Sequence, residues 1–220
     1  TAGLAGPEIM RAMGCEVIEL FSEPDGEFPN HHPDPTVPKN LSVLIETVRT
    51  ARADLGIAFD GDSDRIGVVD EQGSILWGDQ LMVIFSRDIL QNLPGATFVS
   101  EVKCSQTMYD DIRNHGGTAI MWKTGHSLIK AKMKSEHAVL AGEMSGHMFF
   151  ADRYFGYDDA IYASCRLVEI LAKTTRSLSA LVADLPKTSV TPEIRVDVSD
   201  SIKFELVRHV QERLAACAKT

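Results

Sequence analysis

The sequence predicts an α/β protein: two tandem three-layer α/β domains with mainly parallel, mixed sheets over residues 1–75 and 76–186, then a linker and the truncated start of a further α+β domain over 187–220. Three observations carry this expectation. Strand-like apolar runs alternate with helical periodicities, the pattern of parallel strands joined by right-handed crossovers. Clusters of Asp, Lys, His and Gly follow the strand-like runs, where open α/β sheets bind their ligands. Pro186 and Pro192 bracket a stretch that reads as a linker.

Composition narrows the function classes. With 220 residues, 44% hydrophobic and 24% charged, the chain can bury one large core or two small ones, and disorder is excluded. Its 22 basic and 31 acidic residues leave a net charge of −9, which opposes general binding to nucleic acid or to an anionic membrane. Cys15, Cys104, Cys165 and Cys217 lie far apart without CxxC spacing, so a reducing, cytoplasmic setting is expected rather than a disulfide framework or a zinc knuckle. No apolar stretch is long enough to span a bilayer, and Thr1-Ala2-Gly3 does not open a signal peptide. The chain lacks an initiator methionine and starts inside a helical pattern, so it reads as a fragment.

In chain order, Pro7 to Met13 reads as a helix and Cys15 to Leu20 as a strand, followed by a proline-rich irregular loop from Pro24 to Pro38. His31 and His32 in that loop read as surface histidines, because neighbouring side chains diverge. Leu41, Leu44, Ile45 and Val48 recur at helical spacing, so Lys39 to Ala53 is expected to be an amphipathic helix. Leu55 to Phe59 reads as a buried strand, Ile66 to Asp70 as a second strand, and Glu71-Gln72-Gly73 as a hairpin turn before Ile75 to Trp77. The second series alternates helix Asp79–Gln91, strand Thr97–Val102, helix Thr107–Asn114, strand Thr118–Trp122, helix Ser127–Lys134 and strand Ala138–Ala141. Helices Asp158–Lys173 and Leu178–Leu185 complete it, and a strand-like run Glu193–Val198 with helix Ser201–Ala218 opens the next domain.

The chemistry is expected at Asp60-Gly61-Asp62-Ser63-Asp64-Arg65. Carboxylates about 4 Å apart repel by roughly 4 kcal/mol per pair at an effective dielectric of 20, so three in one short loop call for a cation. Asp60, Asp62, Asp64 and Glu71 match EF-hand positions 1, 3, 5 and 12, but Arg65 stands where that loop requires glycine, and strand-like residues flank the turn. Magnesium is the better candidate, held by oxygen ligands with open positions for water or phosphate. Three further clusters follow strands: Lys103-Cys104-Ser105, Lys123-Thr124-Gly125-His126, and Gly142-Glu143-Met144-Ser145-Gly146-His147. Gly125 allows close backbone approach before a helix N-terminus that attracts phosphate, and Lys123 adds charge there. If the last cluster is extended, Glu143, Ser145 and His147 share a face suited to sugar hydroxyls.

Through DGDSDR, the KC after the strand, WKTGHS at Trp122–Ser127 and GEMSGH at Gly142–His147, the chain resembles the α-D-phosphohexomutases, and within them the bacterial phosphomannomutase/phosphoglucomutase branch. The resemblance runs along nearly the whole chain and covers most of the family's second domain, its third, and the start of its fourth. It implies an isomerase that moves a phosphoryl group from a phosphoserine to a hexose phosphate, through a hexose 1,6-bisphosphate that reorients. It also implies that Asp60, Asp62 and Asp64 hold Mg²⁺ with Arg65 alongside, and that Lys103 and His126 line the reacting centre, His126 as a proton-transfer group. Lys123, Gly125, Glu143 and Ser145 would bind substrate, with His147 supporting that loop or touching the sugar. The phosphoserine loop of domain 1 and the phosphate loop of domain 4 have no counterpart here, so the chain by itself is expected to be inactive. A non-catalytic sugar-phosphate-binding module of the same fold, or a phosphoglucosamine mutase, are the alternatives, and Met144 favours the first-named branch over the latter. The family usually has DGDGDR; Ser63 replaces a glycine, at a cost on the order of 1 kcal/mol if that backbone position has positive φ.

Overall fold

The structure, a computed structural model, describes residues 1–188 and 196–217. The chain divides into two compact units, Thr1–Pro186 and Lys187–Thr220.

The first unit opens with helix α1 (Gly6–Ala12), whose first turn holds Pro7, where its missing N–H costs nothing. The expected strand Cys15–Leu20 is not formed; this stretch has no regular structure. Strand composition alone cannot hold a strand without a partner for its backbone groups, and among the described residues none runs beside it. The proline-rich loop is irregular as expected, and His31 and His32 pack edge-on against Phe21 and Phe28. Helix α2 (Ser42–Ala51) follows a 3-10 turn over Pro38–Leu41, with Leu41 and Val48 buried from the expected apolar stripe.

Strands β1 (Leu55–Phe59), β2 (Ile66–Asp70) and β3 (Ile75–Leu76) form a sheet in that order, antiparallel throughout, with Leu55 opposite Asp70 and Phe59 opposite Ile66. The parallel character expected of the chain as a whole is therefore absent here. Residues 60–65 and 71–74 are the only connections, too short for the crossover that parallel neighbours require. Helix α2 lies on β1 so closely that a Cβ at Gly56 would stand 2.7 Å from Val48.

The remainder of this unit is helix α3 (Gly78–Asn92), strand β4 (Thr97–Glu101), helix α4 (Gln106–Asn114), strand β5 (Thr118–Trp122), helix α5 (His126–Ser135), strands β6 (Leu140–Gly142) and β7 (Met148–Phe150), and helices α6 (Ala160–Ala172) and α7 (Leu178–Leu181). The second sheet has the order β5-β4-β6-β7; β5, β4 and β6 are parallel and β7 is antiparallel to β6. Strand β7 escapes sequence reading because its three residues merge with the apolar run around them. Alternating side chains send Phe98, Leu140, Met148 and Phe150 into the main core with α3, α4 and α6. Val99, Ala141 and Phe149 face the opposite way, onto Ile129 and Met133 of α5. This is the expected three-layer arrangement. Ile66, Val68 and Leu76 of the first sheet join the same main core, so both sheets share apolar packing.

The second unit contains helix α8 (Lys203–Cys217), whose side chains are exposed. The strand expected at Glu193–Val198 falls partly on 193–195, which with Pro192 and Ala218 lie outside the described residues; 196–198 have no regular structure. Among the described residues no helix is long and apolar enough to cross a membrane.

Candidate metal and sugar-phosphate site

The acidic loop joins β1 to β2 and is folded by its own first residue. Asp60 is 4% exposed, and its Oδ1 accepts the amides of Asp64 and Arg65 at 3.0 and 3.1 Å. Its Oδ2 accepts Arg65 Nε at 2.6 Å, while Arg65 Nη1 reaches Asp34 Oδ1 at 3.3 Å. The turn closes through Ser63 at φ 70°, the left-handed region, so the serine does stand in the strained position. Its carbonyl accepts the amide of Ala160 at 3.0 Å and so docks the loop on the start of α6.

Asp60, Asp62 and Asp64 each place a carboxylate oxygen within 4.8 Å of the other two. Burial raises the Asp64 pKa to about 6, helped by its hydrogen bond with Asp60 and by the charges of Asp60 and Asp62, against the pull of His147. Burial also acts to raise Asp60, but hydrogen bonds from Asp64 and Arg65 outweigh it and leave that carboxyl below its ordinary value. An all-oxygen carboxylate donor set, with Asp64 pushed up by burial and by its acidic neighbours, fits a hard divalent cation such as Mg²⁺. Side-chain rotation would bring the oxygens to the roughly 4.2 Å that opposed Mg–O bonds of about 2.1 Å allow.

Gly142–His147, called the sugar loop after its expected role as Asp60–Arg65 is called the metal loop, joins β6 to β7. The extended form in which Glu143, Ser145 and His147 would share a face is not adopted; the loop is a tight turn in which the Gly146 amide donates to the Glu143 carbonyl at 3.0 Å, with Gly146 at φ 96°. A Cβ at Gly146 would meet the Ile66 carbonyl at 2.3 Å, and the Ile66 amide donates to the Gly146 carbonyl at 3.1 Å. The metal loop and the sugar loop are thereby stitched together. His147 Nε2 stands 3.4 Å from Asp64 Oδ1, and its Nδ1 is 2.9 Å from Glu143 Oε2 and 2.8 Å from Ser145 Oγ. Glu143 is 4% exposed and spends its other oxygen on the Gly125 amide at 2.8 Å. Burial acts to lower the His147 pKa, yet Glu143, Asp64 and Asp158 prevail and raise it. For Glu143 burial acts upward, and the His147 and Gly125 hydrogen bonds with the charges of His147 and Lys103 bring it below the usual carboxylate range. A protonated imidazole is thus favoured beside the metal loop.

Gly125 sits at φ 126° at the head of α5, a conformation that favours glycine, and the following His126 ring lies 6.3 Å from that of His147. His126, Lys123 and Lys103 are exposed. The ends of β4, β5 and β6 lie on one edge of the sheet, so the fold brings the three clusters and the metal loop together. Sequence reading missed three contributors. Asp158 lies with Asp64 and His147 in a group whose polar atoms fall within 4.8 Å, and Lys130 pairs with it at 3.2 Å. Glu101 ends β4 beneath the loops. None of these stands in a motif that spacing could mark, because their partners are distant in sequence.

Comparison with known proteins identifies the family. Residues 1–73 match the model of phosphoglucomutase/phosphomannomutase alpha/beta/alpha domain II, and residues 77–189 that of alpha/beta/alpha domain III. A phosphomannomutase/phosphoglucomutase of Pseudomonas putida is 52% identical over 210 residues, which are 96% of this chain and 45% of the relative. A phosphoglucomutase of Neisseria gonorrhoeae is 44% identical over 217 residues, 99% of this chain and 46% of the relative. The chain therefore spans about half the length of these curated relatives. Among solved structures, a phosphoglucomutase/phosphomannomutase family protein of Burkholderia thailandensis aligns with a TM-score of 0.83 at 47% identity, covering 87% of this chain and 42% of that one. By both domain matches, this chain belongs to the phosphoglucomutase/phosphomannomutase family.

Proposed function

We propose that the chain supplies the metal-binding and sugar-binding loops of a cytoplasmic phosphohexomutase that interconverts hexose 1-phosphate and hexose 6-phosphate, with mannose and glucose as the sugars. The observation that carries this reading is the junction of the two loops, with His147 3.4 Å from Asp64 and the Ile66 amide on the Gly146 carbonyl. Residues 1–75 correspond to the metal-loop domain, 76–186 to the sugar-loop domain, and 187–220 to a linker and the start of a further domain. The phosphoserine and a distal phosphate clamp are contributed by segments outside these residues.

Asp60, Asp62 and Asp64 would hold Mg²⁺, which when bound neutralises charge on the transferring phosphoryl group. Arg65, fixed by Asp60 and Asp34, directs positive charge to the same oxygens. Lys103, Lys123 and the backbone at Gly125 attract the phosphate of the substrate, and Glu143 and Ser145 orient the sugar hydroxyls. Between the two histidines, His147 is the better placed to hold and return the hydroxyl proton, because Glu143 and Asp64 favour its charged form; His126 lies beside it, exposed, at the sugar side. A hexose 1,6-bisphosphate would be held by the same set of groups in both of its orientations.

The test is turnover of mannose 1-phosphate and glucose 1-phosphate by the complete protein that carries this chain, against Asp62→Ala at limiting magnesium. The variant is expected to lose at least a hundredfold in kcat/KM. Full activity would remove the metal assignment, and no turnover by the unmutated protein would remove the mutase reading.

A further inference from the structure

Glu101 is fully buried, 0% exposed. A buried carboxylate is costly unless donors replace its water, and at a position that served packing alone an apolar side chain would be as stable or more so. Its donors come from three separate loops. Oε2 accepts the Lys103 amide at 2.7 Å and the Thr124 hydroxyl at 2.9 Å, and Oε1 accepts the Met144 amide at 3.2 Å. All three donors are neutral, so the carboxylate draws its stabilisation from holding the loops in register. The Glu101 carbonyl in turn takes the buried Tyr109 hydroxyl at 2.8 Å, which ties the strand end to α4.

Each of these loops carries groups assigned above to the substrate. Lys103 belongs to the first, Gly125 and His126 follow Thr124 in the second, and Glu143 and Ser145 flank Met144 in the third. The loops also meet through a second carboxylate, Glu143 on the Gly125 amide, but that contact leaves the Lys103 turn untouched. Among the described residues, Glu101 alone accepts hydrogen bonds from all three.

We propose that Glu101 is the positioning residue of the sugar-phosphate site, a buried carboxylate that sets the spacing of Lys103, Gly125–His126 and Glu143–Ser145 without touching the reacting atoms. This rests on the mutase reading for what the loops bind, while the hydrogen-bond geometry is independent of it. Glu101→Gln makes a sharp probe because an amide keeps the volume but offers only one acceptor oxygen. With that oxygen on Lys103 and Thr124, the amide NH₂ faces the Met144 N–H, donor against donor, and the sugar loop is the one released.

The experiment compares the complete protein that carries this chain, unmutated, with its Glu101→Gln, Thr124→Val and double variants, by amide hydrogen exchange and by turnover of glucose 1-phosphate. In Glu101→Gln the Met144 amide is expected to exchange at least tenfold faster while the Val99 and Leu140 amides of the sheet keep their protection. KM is expected to rise about tenfold with kcat changed less than threefold. Thr124→Val, which removes the contact that Glu101→Gln keeps, is expected to raise KM severalfold, and its effect should add to that of Glu101→Gln in the double variant. Unchanged Met144 exchange would overturn the proposal, as would uniform loss of protection across the sheet, which marks a residue of general stability. If Glu101→Gln does not fold, Thr124→Val decides alone, and an unchanged KM there is the overturning result. Absence of turnover in the unmutated protein would sink the mutase reading, whereas the exchange experiment would still decide the role of Glu101.

Discussion

The metal loop and the sugar loop are both short turns between antiparallel strands, yet they are held in opposite ways. In Asp60–Arg65 the bonds that close the turn are local: Asp60 folds over the amides four and five residues ahead of it and takes the Arg65 guanidinium. Remote partners, Asp34 on Arg65 and the Ala160 amide on the Ser63 carbonyl, anchor a turn already closed. In Gly142–His147 the decisive partners are remote: Glu143 reaches Gly125, Met144 reaches Glu101, and Gly78 at the head of α3 passes so close that its Cβ would stand 2.1 Å from the Glu143 carbonyl. A turn that folds itself can be recognised in one sequence. A turn shaped by its neighbours cannot, and this is why the sequence leaves the form of the second loop open.

The contrast can be broken where it is strongest. Asp60→Ala removes three hydrogen bonds and leaves Arg65 with Asp34 as its remaining hydrogen-bonded carboxylate, and should destabilise the chain by about 3 kcal/mol in urea unfolding. A loss under about 1 kcal/mol would show that the metal loop does not depend on its own first residue. Gly78→Ala attacks the sugar loop from outside, and the overlap with the Glu143 carbonyl should cost on the order of 1–3 kcal/mol and displace Ser145 and His147. If the ring and amide NMR signals of His147 stay in place, the remote control is absent.

Two smaller effects sharpen the comparison. Ser63→Gly relieves a left-handed serine in the metal loop and should stabilise by up to about 1 kcal/mol, read as a higher urea midpoint with an unchanged slope. Away from both loops, Glu71 accepts the Ser179 hydroxyl and amide; burial acts to raise its pKa, but these bonds overcome it and lower it to about 2. Its folded pKa lies below the unfolded value, so its contribution is complete above about pH 4.5 and is lost as the pH falls toward 2. Glu71→Gln should therefore lower stability at neutral pH and flatten the acid side of the profile, the difference from the unmutated protein shrinking as the pH falls toward 2 while the metal loop is unaltered; a profile unchanged between pH 5 and 2 would contradict the assignment.

By itself the sequence determined the alternation of strands and helices, because periodicities of two and about 3.6 residues are written into the order of apolar residues. It also marked the residues of the metal loop and of the three other motif clusters, whose types and spacing are local properties. It failed at Cys15–Leu20, where strand composition had no partner strand, and at β7, whose three residues carry no periodicity. The antiparallel run of the first sheet follows from connections too short for a crossover, a length already present in the sequence. What only the tertiary structure decided is which groups meet. The pairing of His147 with Asp64, the buried Glu101 under three loops, and Lys130 with Asp158 all join residues far apart in the chain, and their distances are fixed by sheet order and helix packing, which no single stretch of sequence encodes.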